Sequence, residues 1–328
     1  PLLSPFETPH QSIPFCKIKP EHYVPALKEN IATALQQIEE IGLQPAPPNF
    51  ENTLEALQNV GELLGRNSAI LFNLNSAATS ETLQKVAQEA SPLLTRFQND
   101  IRLNQTLFER IKTVYENQGQ EVLSPEQKTL LEKEYKSFAR NGALLAEDQK
   151  NLLREIDTEK AKLSLSFGEN VLADTQAFEL HITKDKDLKG LPEQIKAIAA
   201  EAAQSKNKTG WLFTLDYPSY VPFMTYAENR ELRKTLSLAF GKRGFQDNPH
   251  NNTAIVLRLI ELREKRAQLL GYDSHAAFVL EERMASTEEK ATQFLENLYQ
   301  KARPAAQREW EKMQDFADKL ILCQEHDV

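Results

Sequence analysis

Apolar residues recur at helical spacing along most of this chain. Leu27, Ile31, Leu35 and Ile38 lie three or four positions apart, which predicts a first amphipathic helix. Residues 1–20 before it are rich in Pro and aperiodic, and read as an extended arm packed on the body. Pro45, Pro47 and Pro48 end that helix in a stiff connector. Asn52 and Glu55 then read as the reciprocal cap of a second helix, whose stripe of Leu54, Leu57, Val60, Leu64 and Leu71 carries it to Leu74. Helices are expected over 80–94 and 105–115. Another starts at Ser124-Pro125-Glu126-Gln127 and reaches Arg140, where Asn141-Gly142 offers the permissive backbone a terminus needs. A long helix over 144–167 follows.

The period changes near Asn170. Ala177 to Ile182 alternates at two residues, and Trp211 to Leu215 is a second strand-like run. Between them lie a charged turn, Lys184 to Asp187, and a short helix from Pro192. The two runs are expected to pair antiparallel and to lean on helices, because an isolated strand pair is marginal in water. Helices resume after Pro218 and Pro222. One over 251–270 places Val256, Ile260, Ala267 and Leu270 on a flank, with Leu259 and Leu262 beside them, and stops at Gly271; a shorter one covers 274–284. Ser286-Thr287-Glu288-Glu289 reads as a capping box for the longest pattern, Phe294, Leu298, Ala302, Ala306, Trp310, Met313 and Phe316, with Pro304 as a bend or break.

The expected fold class is therefore mainly α, a multi-helix array with a small antiparallel β element. Three regions are expected: a helical region 1–169, an α/β insert with two short strands 170–222, and a long-helix region 223–328 that forms one compact unit with the first. Leu320-Ile321-Leu322 is apolar in a helical context close to Val328, which reads as a fragment of a longer chain.

Composition narrows the function. Gly is scarce at 11 of 328 residues, which favours helix. A formal charge of -8 argues against a dedicated nucleic-acid binder, which needs a basic surface, so no nucleic-acid partner is expected, although a local basic patch stays open. No apolar run approaches the 18 or so residues of a membrane span, so no membrane partner is expected. Cys16 and Cys323 read as two unrelated reduced thiols. The expected compartment is the cytoplasm, with the periplasm left open because whatever precedes Pro1 is not seen.

The chemistry is mostly missing. His10, His22, His181, His250, His275 and His326 are scattered, and no two stand four apart as a zinc helix requires. Glu21-His22 and Glu325-His326 have the wrong order. No nucleophile elbow or Gly-rich phosphate loop is present, and Cys16 lacks a helix start to lower its pKa. No catalytic or metal-ligating residue is expected in this chain. The segment Gly210-Trp211, Tyr217-Pro218-Ser219-Tyr220 and Pro222-Phe223-Met224 is aromatic and shaped by Pro. Its plain reading is core and loop packing; its sharper one is a groove wall for an extended peptide. Tyr217, Tyr220, Phe223 and, after Gly271, Tyr272 are the substrate-channel candidates, although Tyr272 first reads as helix-end packing.

Read in order, several motifs resemble the thimet-oligopeptidase-like zinc metallopeptidases, and among them the bacterial peptidyl-dipeptidase group. They are Ile18-Lys19-Pro20-Glu21-His22-Tyr23-Val24-Pro25-Ala26, Phe50-Glu51-Asn52-Thr53, Phe138-Ala139-Arg140-Asn141-Gly142-Ala143, Asn170-Val171-Leu172 and Lys189-Gly190-Leu191-Pro192. Pro218-Ser219-Tyr220, Asn229-Arg230, Leu262-Arg263, Leu269-Leu270-Gly271-Tyr272 and Met284-Ala285 continue the series. The resemblance implies a helical clamshell about twice this length, whose channel admits short unstructured peptides. It implies zinc in the full-length parent, bound by residues of a C-terminal catalytic half that are absent here. This chain then corresponds to the N-terminal half and one channel wall, inactive alone. Its partners are peptides and the missing half. A helical protein-interaction module that never had a catalytic half stays open beside that reading; a reading frame continuing into a His-Glu-x-x-His helix separates the two.

Overall fold

Helix α1 (Tyr23–Leu43) buries Tyr23, Leu27, Ala34, Ile38 and Ile41 along one face, and Ile31 and Leu35 pack at its margin. The structure, a computed structural model, describes residues 1–319; the Leu320–Leu322 run, Cys323 and His326 lie outside them. The N-terminal arm is bound to the body through three short 3₁₀ turns, Pro9–Gln11, Phe15–Lys17 and Pro20–His22. Leu2 and Phe6 enter the same core as α1, Leu2 O accepts from Asn67 Nδ2 at 2.6 Å, and the Arg66 guanidinium lies 4.0 Å over the Phe6 ring.

The second helix departs from expectation. Asn49 is the cap: its Oδ1 accepts from Asn52 N at 2.8 Å, while Asn52 Oδ1 accepts from Asn49 N at 3.0 Å. The wide turn so opened (Phe50–Glu55) runs into α2 (Ala56–Gln58) and breaks at Gly61, whose φ of 74° favours glycine, before α3 (Glu62–Ala77). The Pro-rich connector has a fixed path because buried Arg110 donates to Gln44 O at 3.3 Å, Ala46 O at 3.2 Å and Asn52 Oδ1 at 3.0 Å.

Helix α4 (Glu81–Arg102), capped by Ser80, continues through Pro92 past its expected end, because it packs on α1 and keeps burying residues as far as Phe97 and Asn99. Asn104 caps α5 (Gln105–Glu116). The Ser124–Gln127 box opens α6 (Pro125–Phe138) as expected. Phe108 stacks with both Tyr135 and Phe138, at centroid distances of 5.9 and 6.3 Å. The chain then reverses at Gly142, φ 102°, where an added Cβ would sit 2.7 Å from Leu153 Cδ2. Helix α7 (Glu147–Ala177) lies along α4 and runs through Asn170, so the change of period noted there falls inside a helix.

A second core follows. Strands β1 (Leu180–Ile182) and β2 (Trp211–Phe213) pair antiparallel, with Leu180 opposite Phe213 and Ile182 opposite Trp211. Helix α8 (Glu193–Ser205) joins them and packs on β2. Helices α9 (Tyr217–Tyr226) and α10 (Arg230–Gly241) close the core around Leu188, Phe213, Leu215, Phe223 and Leu236. Helix α9 starts before Pro218, which the first turn tolerates, and contains Pro222.

Contacts divide the chain into two units, Pro1–Leu262 and Arg263–Val328. Helix α11 (Thr253–Leu269) crosses the division. Of the two neighbouring apolar groups, Leu259, Leu262 and Ala267 are buried, whereas Val256 and Ile260 are exposed. In the second unit Gly271 at φ 83° ends the helix, with Tyr272 N donating to Ala267 O at 2.9 Å and Gly271 N to Gln268 O at 3.0 Å. Helices α12 (His275–Leu280) and α13 (Glu288–Lys319) complete it. Thr287 supplies the side-chain acceptor for Lys290 N at 3.2 Å in place of Ser286, and α13 passes Pro304 as one helix.

Phe138, fully buried between α5 and the Gly142 reversal, carries much of the first core. Phe138→Ala is expected to cost about 3–5 kcal/mol. A lower urea midpoint at unchanged slope checks it.

Candidate peptide-binding face

Tyr217 and Tyr220 stand three residues apart on α9 and so share a face. Both meet Phe240 of α10. Tyr220 stacks on that ring at 4.2 Å, and Tyr217 meets it edge-on at 5.8 Å and 88°. Below Phe240 lies Arg243, its guanidinium 3.6 Å from the ring centroid. Nε of Arg243 donates to Phe240 O at 2.9 Å and Nη1 to Thr175 Oγ1 at 3.2 Å, so the group is tethered over the ring. The result is a ladder of three rings and a cation whose outermost member, Tyr217, is 68% exposed.

Phe223 lies elsewhere. It is fully buried, edge-on to Phe213 at 4.6 Å, and serves the second core rather than any surface. One turn after Tyr220, it points from α9 to the strand pair. Tyr272 belongs to the second unit, where its ring meets Phe278 edge-on at 5.1 Å and its hydroxyl donates to Glu281 Oε2 at 2.5 Å. The structure therefore brings together two of the four aromatic candidates.

Beside α9 a cleft of about 270 Å³ opens between α8, through Ile195, Ile198 and Ala202, and the β2–α9 turn, through Leu212, Thr214 and Pro218. Asp216 stands at this turn, its carboxylate accepting from Thr214 Oγ1 at 2.9 Å. An apolar floor with one carboxylate beside it suits an apolar side chain on an otherwise polar backbone. Sequence reasoning missed the α8 wall. Its signal was an apolar stripe broader than the core needs, since Ile198 remains 52% exposed.

Two ionic arrangements hold this face. Asp174, buried near the end of α7, accepts from Gly244 N at 2.7 Å and Asn248 Nδ2 at 2.8 Å, which anchors the loop after α10. Glu179, just before β1, is bound by Lys206 and Lys208 from the far end of α8. The hydrogen bond from Lys206, then that from Lys208, holds its carboxyl at about 2.

No group of three or more His, Cys, Asp or Glu side chains converges among the described residues. His22 Nδ1 accepts from Lys19 N at 3.1 Å, and His181 Nε2 lies 2.6 Å from Thr209 O, so both have local backbone partners. Cys16 is exposed on its 3₁₀ turn. No helix among the described residues is long and apolar enough to cross a membrane.

Comparison with known proteins places this face in context. Residues 24–150 match the neurolysin/thimet oligopeptidase N-terminal domain, and residues 223–328 match peptidase family M3. The chain is 31% identical to oligopeptidase A of Escherichia coli over 321 residues, covering 97% of this chain and 47% of that protein. It is 33% identical to dipeptidyl carboxypeptidase of Salmonella typhimurium over 319 residues, with the same two coverages, 97% and 47%. A probable cytosolic oligopeptidase A of Arabidopsis thaliana is 31% identical over 97% of this chain and 45% of its own length. The chain thus spans about half the length of the curated relatives it matches.

The Glu179 ion pairs generate a pH prediction. Its folded pKa is depressed, so the stabilisation is fully present above the ordinary carboxylate range and is lost as pH falls through about 2. Replacement by Gln is expected to remove that acid-side loss. Parallel acid titrations of wild type and Glu179→Gln, followed by circular dichroism, test this; superimposable stability curves below pH 4 would contradict it.

Proposed function

The chain belongs to peptidase family M3, and we propose that it forms the N-terminal, non-catalytic half of a zinc-dependent oligopeptidase. The carrying observation is the match across 97% of this chain to less than half of each relative, in an order that begins with an N-terminal domain. The expected substrates are short unstructured peptides, and the expected reaction is release of dipeptides from their C-terminal ends. The names of the relatives, oligopeptidase A and dipeptidyl carboxypeptidase, support those two points in turn. A cytoplasmic location goes with this reading, and the absence of a spanning helix among the described residues is compatible with it.

The described residues do not fit a zinc ion, since no ligand set gathers among them. No bond-breaking step is assigned to them. Their proposed work is to hold and orient peptide as one wall of a channel. The cleft between α8 and the β2–α9 turn takes an apolar side chain, and Tyr217 and Tyr220 supply rigid area at small entropic cost. Phe223 stays in the second core and is not part of this surface. Tyr272 is a separate candidate of the second unit.

Two outcomes are expected of the purified chain. It hydrolyses no internally quenched peptide at any zinc concentration, and zinc-dependent cleavage by rigorously purified material would refute the non-catalytic assignment. It binds labelled short peptides, and Tyr220→Ala weakens that binding about three- to tenfold, as read by fluorescence anisotropy.

A further inference from the structure

Helix α13 buries none of its described residues. Phe294, Leu298, Ala302, Ala306, Trp310 and Met313 succeed one another at intervals of four, four, four, four and three, and so form a continuous stripe. Their large members are 44–67% exposed. At 32 residues the helix is about 48 Å long. Helices in proteins draw most of their stability from packing an amphipathic face, and this one has the face without the packing. Scattered exposed apolar residues are ordinary, but a stripe of this length marks a surface built to be covered.

The charges of the helix exclude a lipid surface as the cover. Over residues 288–319 seven acidic residues stand against six basic ones, Arg303 and Arg308 among the latter, so the helix lacks the basic bias that draws an amphipathic helix to anionic membranes. The match to peptidase family M3 takes in all of α13, and the relatives run to about twice the length matched. We infer that the apolar stripe of α13 is the seam on which the remaining, catalytic half of the M3 fold docks, through an apolar face of its own. This rests on the proposed function and names the surface through which the two halves join.

Hydrogen exchange read by mass spectrometry tests it. The chain is measured alone, and again as the complex recovered after co-expression with the part of E. coli oligopeptidase A that lies outside the matched span. Alone, α13 is expected to exchange rapidly; in the complex it slows at least tenfold. The double variant Leu298→Glu, Met313→Glu loses that slowing while exchange across residues 23–143 stays parental, which shows that it folds. Slow exchange of α13 in the chain alone would mean that its own residues cover the stripe. Slowing that grows with chain concentration would assign the stripe to a second copy. No slowing with the co-expressed half, or slowing confined to other elements, overturns the inference equally. The functional reading fails separately: halves that protect α13 but cleave no peptide with zinc present would sink that reading and leave the seam intact.

Discussion

A carboxylate taken out of water costs several kcal/mol unless donors replace the lost hydration. Asp174 meets that demand from one loop, through Gly244 N, Asn248 Nδ2 and Gln246 Nε2. The consequences spread outward. Gly244, at φ 69°, is drawn against Asn252, whose backbone N donates to Gly244 O at 2.7 Å. Asn252 is itself tied to α7, accepting from Asn170 at 2.8 Å and donating to Phe167 O at 3.1 Å. With the loop pinned, Arg243 reaches Thr175, lies under Phe240, and so sets the stack on which Tyr220 and Tyr217 rest. The aromatic ladder is thus positioned by a buried polar network at the end of α7, which itself contributes no contact surface to the cleft.

Helix α7 connects the two cores of the first unit. Leu153 and Ile156 are buried near its start, where it lies along α4, and Asp174 and Thr175 near its end. Its 31 residues span about 46 Å, which lets one rigid element carry the second core at a set distance from the first. The second unit contrasts with this. Its α12 and α13 bury no residue, and among the described residues of this unit only Ala267, at the end of α11, is buried.

Family motifs were legible in the sequence because many of them sit where backbone chemistry is demanding. Gly142 turns the chain with a positive φ against Leu153; Gly271 ends α11 in the same region of φ. Asn170 holds Asn252, and Asn229 both caps α10 and donates to Asp187 Oδ1 at 3.0 Å. Such positions admit few residue types, so they stand out in a chain read alone. The site was harder to read. Tyr217, Tyr220 and Phe223 look equivalent as a string of aromatics, but helical rotation sends the first two to Phe240 and the third into the core. Arg243 and the α8 wall were invisible because their partners are 68 residues or a helix away, at Thr175 and across the cleft.

The sequence alone determined the helical class, the antiparallel pair, the Ser124–Gln127 cap, the stop at Gly271 and the family, since periodicity and terminus chemistry act within a few residues. Only tertiary structure decided three further things. It carried α4 past Leu94 to Arg102 and α7 past Phe167 through Asn170, because packing along neighbouring helices outweighs local signals. It chose which stripe of α11 turned inward, Leu259 and Leu262 over Val256 and Ile260, where apolar residues on both flanks left periodicity undecided. And it assembled the ring ladder and cleft from segments far apart in the chain, which contacts between side chains, and no local propensity, bring together.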